Sequence, residues 1–190
     1  MACRKVGTQS HSGALLNSRR SNSELEIRLA TVDDAPAIAA VLYSAFAEYE
    51  PLYTSGGFVA TTPGPEQIEE RMREGPVWVA VQEGLTVGTV GVAPRGKALY
   101  IRGMAVLPKA RGQGIGELLL ASIEQFAIGH GYQRLFLSTT PFLTRAIRLY
   151  EGQGFRRIQQ DQQSCEESSE TDSGPHDLFG TPLFTMAKDV

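Results

Sequence analysis

The spacing of apolar residues changes period several times along the chain, and each change marks an element. Leu25, Ile27 and Leu29 alternate as in a half-buried strand, whereas Ile38, Val41, Leu42, Ala45, Phe46 and Tyr49 recur at helical spacing. Between them Thr31 and Asp34 have the spacing of a capping box. Glu48 to Tyr53 and a glycine-containing loop follow, then Pro65 to Glu74 reads as a second helix with Ile68 and Met72 inward, stopped by Gly75 and Pro76. Three apolar runs, Val77 to Gln82, Val87 to Ala93 and Ala98 to Val106, are separated by turns short enough to predict an antiparallel meander. A long stripe of Ile115, Leu118, Leu119, Ile123, Phe126 and Ala127 then predicts a helix, Leu135 to Leu137 a strand, and Phe142, Ala146, Leu149 and Tyr150 another helix. Strands from Phe155 and near Leu183 to Ala187 complete the order βααβββαβαββ. That order predicts an α/β protein: a mixed, twisted sheet of about seven strands with helices on both faces.

Two stretches lack any period. Residues 1–24 are rich in serine and arginine, with no acidic residue before Glu24. They read as a disordered leader, with a transit peptide or an over-long start as alternatives. Residues 159–178 carry Asp161, Glu166, Glu167, Glu170, Asp172 and Asp177 and no lysine or arginine. Apolar strands flank them, so they read as an insertion within a single domain over 25–190, either a solvated loop or an acidic flap over a pocket.

The stretch Arg111, Gly112, Gln113, Gly114, Ile115, Gly116 lies between a strand and a helix. Bare glycines let an anion approach the backbone, while the unpaired N–H groups and dipole of the first helical turn favour negative charge. Spacing decides which anion. No Gly-Lys-Ser/Thr closes the turn, which argues against a P-loop. Glu117 stands where a dinucleotide fingerprint needs its third glycine, and no acidic residue between Glu124 and Glu151 could hold a ribose.

What remains, Arg-x-x-Gly-x-Gly after Met104, Ala105, Val106, Leu107, Pro108, resembles the acetyl-CoA-binding motif of the GCN5-related N-acetyltransferases (GNAT family). Downstream, Ala146, Tyr150 and Gly154-Phe155 match the family's other hallmark in the right order. The resemblance covers about residues 25 to 158 and a final strand, and it implies the GNAT fold and transfer of an acetyl group from acetyl-CoA directly to a primary amine.

The same resemblance implies a cofactor grip of Arg111 to Gly116 together with Met104, Ala105, Val106, Thr139, Ala146 and Arg148. The Met104 N–H would polarise the thioester carbonyl, and Tyr150 would protonate the leaving thiolate, since a phenol with a pKa near ~10 is protonated at neutral pH. Spacing also allows Tyr150 a place in the apolar stripe. Family members often carry a glutamate on the strand holding Met104; here that strand reads Leu99, Tyr100, Ile101, Arg102, Gly103. Glu48, Glu50 or a water chain would then take the amine's proton, with His176 a remoter choice. Phe46, Tyr49 and Tyr53 are expected to line the acceptor pocket. Arg102 would recognise an acidic group on the acceptor or sit on the wet face of the sheet. Arg145 and Arg148 would meet a CoA phosphate or stay exposed.

Composition narrows the partners. A net charge of -3 gives no electrostatic reason for nucleic-acid binding. Cys3 and Cys165 lie in polar tracts and suggest neither a disulfide framework, nor a metal site, nor a covalent acyl-enzyme. No apolar run approaches a membrane span, which makes the cytoplasm the expected location. A homodimer is possible by analogy with the family. Two other readings survive: a non-catalytic acyl-CoA-binding module, kept alive by the missing strand carboxylate, and a nucleotide-binding regulator.

Overall fold

A computed structural model describes residues 25–158 and 177–190. The expected leader, both cysteines, His11, His176 and most of the acidic insertion lie outside these described residues. Strands β1 (Leu25–Leu29), β2 (Val77–Gln82), β3 (Leu85–Arg95), β4 (Ala98–Val106), β5 (Arg134–Thr139), β6 (Arg156–Arg157) and β9 (Phe184–Asp189) form one mixed sheet. Their order is β1-β2-β3-β4-β5-β9-β6, and a separate hairpin joins β7 (Asp177–Leu178) to β8 (Thr181–Pro182). β4 and β5 run parallel; the other neighbours in the sheet are antiparallel.

Strand alternation places helices on both faces. Trp78 and Ala80 of β2 pack with Leu119 and Ile123 of α4 (Ile115–Gly129), the face that also takes Ile147 and Tyr150 of α5 (Thr144–Gly152). Val77 and Val79 point the other way, to Ile38 and Leu42 of α1 (Ala35–Phe46) and Ile68 of α3 (Pro65–Glu74). The Asp34 carboxylate accepts the Thr31 N–H at 2.8 Å and pairs with Arg28 at 2.8 Å, fixing the entry to α1. These contacts hold the Asp34 carboxyl well below the usual carboxylate range, the Arg28 hydrogen bond being the largest cause.

The sequence pattern misses three features. Tyr49 falls beyond α1, in a 3-10 segment over Ala47–Leu52 that contains Pro51. Leu118 is 46% exposed, because Leu119 and Leu120 take the inward positions with Ile123 and Ala127. Where a glycine-containing loop is expected there is a helix, α2 (Ser55–Thr61). Thr54 caps it, accepting the Gly57 N–H at 3.1 Å, and the β7–β8 hairpin covers it. A Cβ on Gly57 would lie 2.3 Å from the Thr181 hydroxyl and 2.9 Å from the Leu178 carbonyl, so glycine is required by close approach rather than by a turn.

Candidate active site

β4 pairs with β5 only from Ala98↔Arg134 to Ile101↔Leu137. Beyond that the strands part: β4 continues with β3 to Val106, and β5 with β9 to Thr139. A second irregularity sharpens the opening. Thr89 pairs with Ala105 but Gly91 with Arg102, so Val90 alone faces both Gly103 and Met104. This is a bulge on β4, and Gly103 adopts φ +59° in it. The cleft so formed has a volume of about 570 Å³, within the range of small-molecule sites.

The glycine loop closes one end of the cleft. Gly112 and Gly114 have φ of +77° and +78°, and a Cβ on either would meet nothing within 4 Å. Here the chain needs glycine for its left-handed turn and leaves open space above the backbone. Gly114 is the N-cap of α4, so the unpaired N–H groups of that helix's first turn face the same space. Gly116 differs. A Cβ there would lie 2.7 Å from Leu149 Cδ2 and 3.5 Å from Met104 Cε, so it lets α4 approach α5 and β4.

Met104, Ala105, Val106, Arg111, Gly112, Gly114, Ile115, Gly116, Thr139 and Ala146 all line the cleft. Gln113 is not a lining residue; its side chain accepts a hydrogen bond from Gln82 at 3.1 Å. Arg148 is exposed outside the cleft, while Arg145 lines it. The Arg111 guanidinium is committed within the protein. It ion-pairs with Glu48 and donates to the Ala45 carbonyl at 3.0 Å and the Val106 carbonyl at 3.4 Å, tying the loop to the end of α1.

Phe46, Tyr49, Tyr53 and Arg102 line the other end. Tyr53 meets Phe142 edge-on at 4.9 Å and Phe46 at 6.5 Å, and Tyr49 stacks on Phe142 at 6.3 Å, forming an aromatic wall. Burial raises the Tyr53 phenol above its ordinary pKa. Arg102 ion-pairs with Glu74 at 2.7 Å and donates to the Arg71 carbonyl at 3.0 Å.

Tyr150 belongs to both core and cleft. Its ring packs edge-on with Phe155 at 5.8 Å, and its side chain also lines the opening. Burial, then the neighbouring phenols of Tyr100 and Tyr53, push its pKa above the ordinary value, so it stays protonated through the neutral range. Neither Glu48 nor Glu50 is brought into the cleft: Glu48 is held by Arg111, and Glu50 is exposed. Glu117, on the first turn of α4, is the one carboxylate among the described lining residues.

The sequence reading misses several lining residues. Tyr100 lies on β4, Thr61 on α2, and Leu178 and Leu183 come from the region of the β7–β8 hairpin. Thr140 Oγ1 and Ser138 Oγ are buried with no hydrogen-bond partner among the described residues, and both residues face the cleft. Arg71 also lines it. Its signal was present in the sequence, three residues after inward-facing Ile68, but on a helix otherwise read as plain scaffold.

Among the described residues no helix is long and apolar enough to cross a membrane, and no group of three metal-ligating side chains comes together.

Comparison with known proteins agrees with this geometry. Residues 41–155 match the family model described as "Acetyltransferase (GNAT) family". The uncharacterised N-acetyltransferase YjgM of Escherichia coli (strain K12) is 33% identical over 138 residues, covering 70% of this chain and 82% of that protein. A probable N-acetyltransferase, family 8 member 5, of Mus musculus is 39% identical over 89 residues, covering 44% of this chain and 39% of the mouse protein. The chain thus spans well under half of that longer relative. PaiA N-acetyltransferase from Thermoplasma acidophilum, solved with coenzyme A, superposes with a TM-score of 0.68 at 14% identity, over 88% of this chain and 99% of that one, a likeness of fold. The splayed β4 and β5, the glycine loop and the family match agree: this chain is an acetyltransferase and belongs to the GNAT family.

Proposed function

We propose that the chain moves an acetyl group from acetyl-CoA directly to a primary amine, with both molecules held in the one cleft. The observation that carries this reading is the parting of β4 from β5 after Ile101, which leaves one edge of Arg102 to Val106 without a strand partner beside the glycine loop. Backbone groups freed in this way must find other partners, and the amides of a pantetheine chain suit them.

The residues present fit such a donor. Open space above Gly112 and Gly114 leads to the first turn of α4, where a diphosphate would meet backbone N–H groups. Ser138 and Thr140 offer buried hydroxyls without partners, and Arg145 offers a cation at the rim. When bound, acetyl-CoA supplies an activated thioester. In this reading the Met104 N–H, at the β4 bulge, donates to the thioester carbonyl. Tyr150, kept protonated by burial, gives its proton to the departing sulfur. Arg111 acts by holding the loop to α1 through Glu48 and Ala45.

With Glu48 and Glu50 outside the cleft, the chain takes its amine as the free base or passes the proton to water. Release of CoA thiol, followed with a panel of primary amines, tests the proposal. Amine-dependent release with intersecting double-reciprocal plots is expected. Acetyl-CoA binding with no amine-stimulated release would favour the acyl-CoA-binding module instead, and parallel plots would indicate an acyl-enzyme.

A further inference from the structure

Arg71 is not among the residues assigned above to the donor, yet it lines the cleft. It reaches there from α3, anchored by Ile68, which is 3% exposed and packed in the core with α1. One arm, Nη2, donates to the Ala60 carbonyl at 3.1 Å. The other, Nη1, lies against the bare face of Gly103: a Cβ on that residue would stand 3.7 Å from it. Gly103 is in the β4 bulge immediately before Met104, so this cation stands beside the place where the proposed transfer would bring the amine.

The local charge is unbalanced. Among the described residues no carboxylate forms an ion pair with Arg71. Glu74 is within electrostatic range, as is the Tyr100 phenol, but the Glu74 carboxylate is already taken by Arg102 at 2.7 Å. Glu117 belongs to the opposite, glycine-loop end. Arg102 and Glu74 cancel, and Arg71 is left over. Burial and the Arg102 charge both work against its cationic form. An amine whose only charge is its own ammonium would add to this imbalance. An amine that also carries an anion would remove it.

We infer that the natural acceptor is a primary amine bearing a carboxylate, and that Arg71 binds the carboxylate so that the amino group reaches the β4 bulge at Met104. A single bond to Ala60 leaves most of the guanidinium fork unused, and a planar carboxylate matches that fork. The aromatic wall of Phe46, Tyr49 and Tyr53 then faces the rest of the acceptor. Arg71 is accordingly a specificity-determining residue. This inference rests on the transfer reading above.

The test compares matched acceptors: L-aspartate, L-methionine, L-phenylalanine and β-alanine, each against its carboxamide, and butylamine as an uncharged-chain control. Values of kcat/KM are corrected for the fraction of free amine. For the wild type we expect the acid of at least one pair to be preferred by roughly 10- to 100-fold, the effect of one charge-assisted contact in a partly buried site. Arg71→Met should bring that ratio close to unity and Arg71→Lys should restore part of it, with the acetyl-CoA-induced rise in melting temperature unchanged in both. Equal use of acid and amide, turnover of neither member of any pair, or a ratio that survives Arg71→Met overturns the inference. If the Met variant does not fold, the wild-type ratio and the Lys variant still decide. Turnover of amides or butylamine without acid preference leaves the transfer reading standing, whereas loss of both the acetyl-CoA shift and all turnover removes both.

Discussion

The two ends of the cleft are built from different material. The loop end is made of backbone: Gly112 and Gly114 in left-handed conformations, the first turn of α4, and the unpaired edge of β4. The other end, where the proposal seats the acceptor, is made of side chains from remote segments: Phe46 and Tyr49 at the end of α1 and beyond it, Arg71 from α3, Arg102 from β4, and Leu178 from the hairpin. A backbone site is local and, in the proposed reading, would meet a feature common to every acyl-CoA. A side-chain site depends on packing across the whole domain, and there a change of one residue alters which acceptor fits.

The largest effect is expected from breaking the loop end. Gly114→Asp puts a carboxylate into the open space at the head of α4 and a side chain on a φ of +78°, so acetyl-CoA affinity should fall at least ~100-fold, two electrostatic and strain penalties acting together. Calorimetric titration measures it, and an unchanged dissociation constant would show that the loop does not meet the donor.

Next, Tyr150→Phe keeps the ring that packs on Phe155 but removes the proposed acid. Turnover should drop by about 10- to 100-fold with acetyl-CoA affinity preserved, in keeping with the usual worth of general acid catalysis. The pH profile separates the acid from the amine. A Tyr150 pKa raised by burial means its protonated form persists as the pH is raised through the ordinary range of a phenol, near ~10, so kcat should show no alkaline fall up to about pH 10. At low pH, kcat/KM should rise with unit slope towards the acceptor amine's own pKa, because Glu48 and Glu50 lie outside the cleft. A plateau beginning near neutrality would reveal an enzyme base that this account lacks.

These variants follow a division already visible in what the sequence discloses. The loop end is legible because glycine spacing, a helical stripe and a preceding strand are contiguous from Ala98 to Ala127. The Gly103–Met104 bulge is not, because it is defined only by pairing with Val90 on the neighbouring strand. The acceptor end was legible only in part. Phe46, Tyr49 and Tyr53 cluster in sequence, but α2 is hidden by Gly56 and Gly57, whose reason lies far along the chain, at Phe179 for Gly56 and at Leu178 and Thr181 for Gly57. Arg111 and Glu48, read separately in the sequence, pair with one another across 63 positions of chain. Charge pairing of that kind carries no local periodicity.

The smallest effect serves as a control on scaffold rather than cleft. Asp34→Ala removes the carboxylate that caps the entry to α1 and should cost about 1 kcal/mol of stability, a typical loss for a cap, with kcat unchanged. Because the folded Asp34 pKa is lowered, its contribution is full above the unfolded value near ~3.9 and fades as pH falls through the lower folded value. Denaturant midpoints of wild type and variant should therefore converge in strong acid, and a difference that widens there would contradict the assigned ion pair.

The most direct test of the central claim is the melting temperature with and without acetyl-CoA, against ADP and NAD as controls. At a hundred times the dissociation constant a ligand stabilises by ~2.7 kcal/mol, roughly 5 to 10 °C for a domain of this size. A rise of that order with acetyl-CoA, smaller or absent with ADP and NAD and lost in Gly114→Asp, is the predicted result. No rise with acetyl-CoA, or an equal rise with NAD, would contradict the assignment of the cleft to an acetyl-CoA donor.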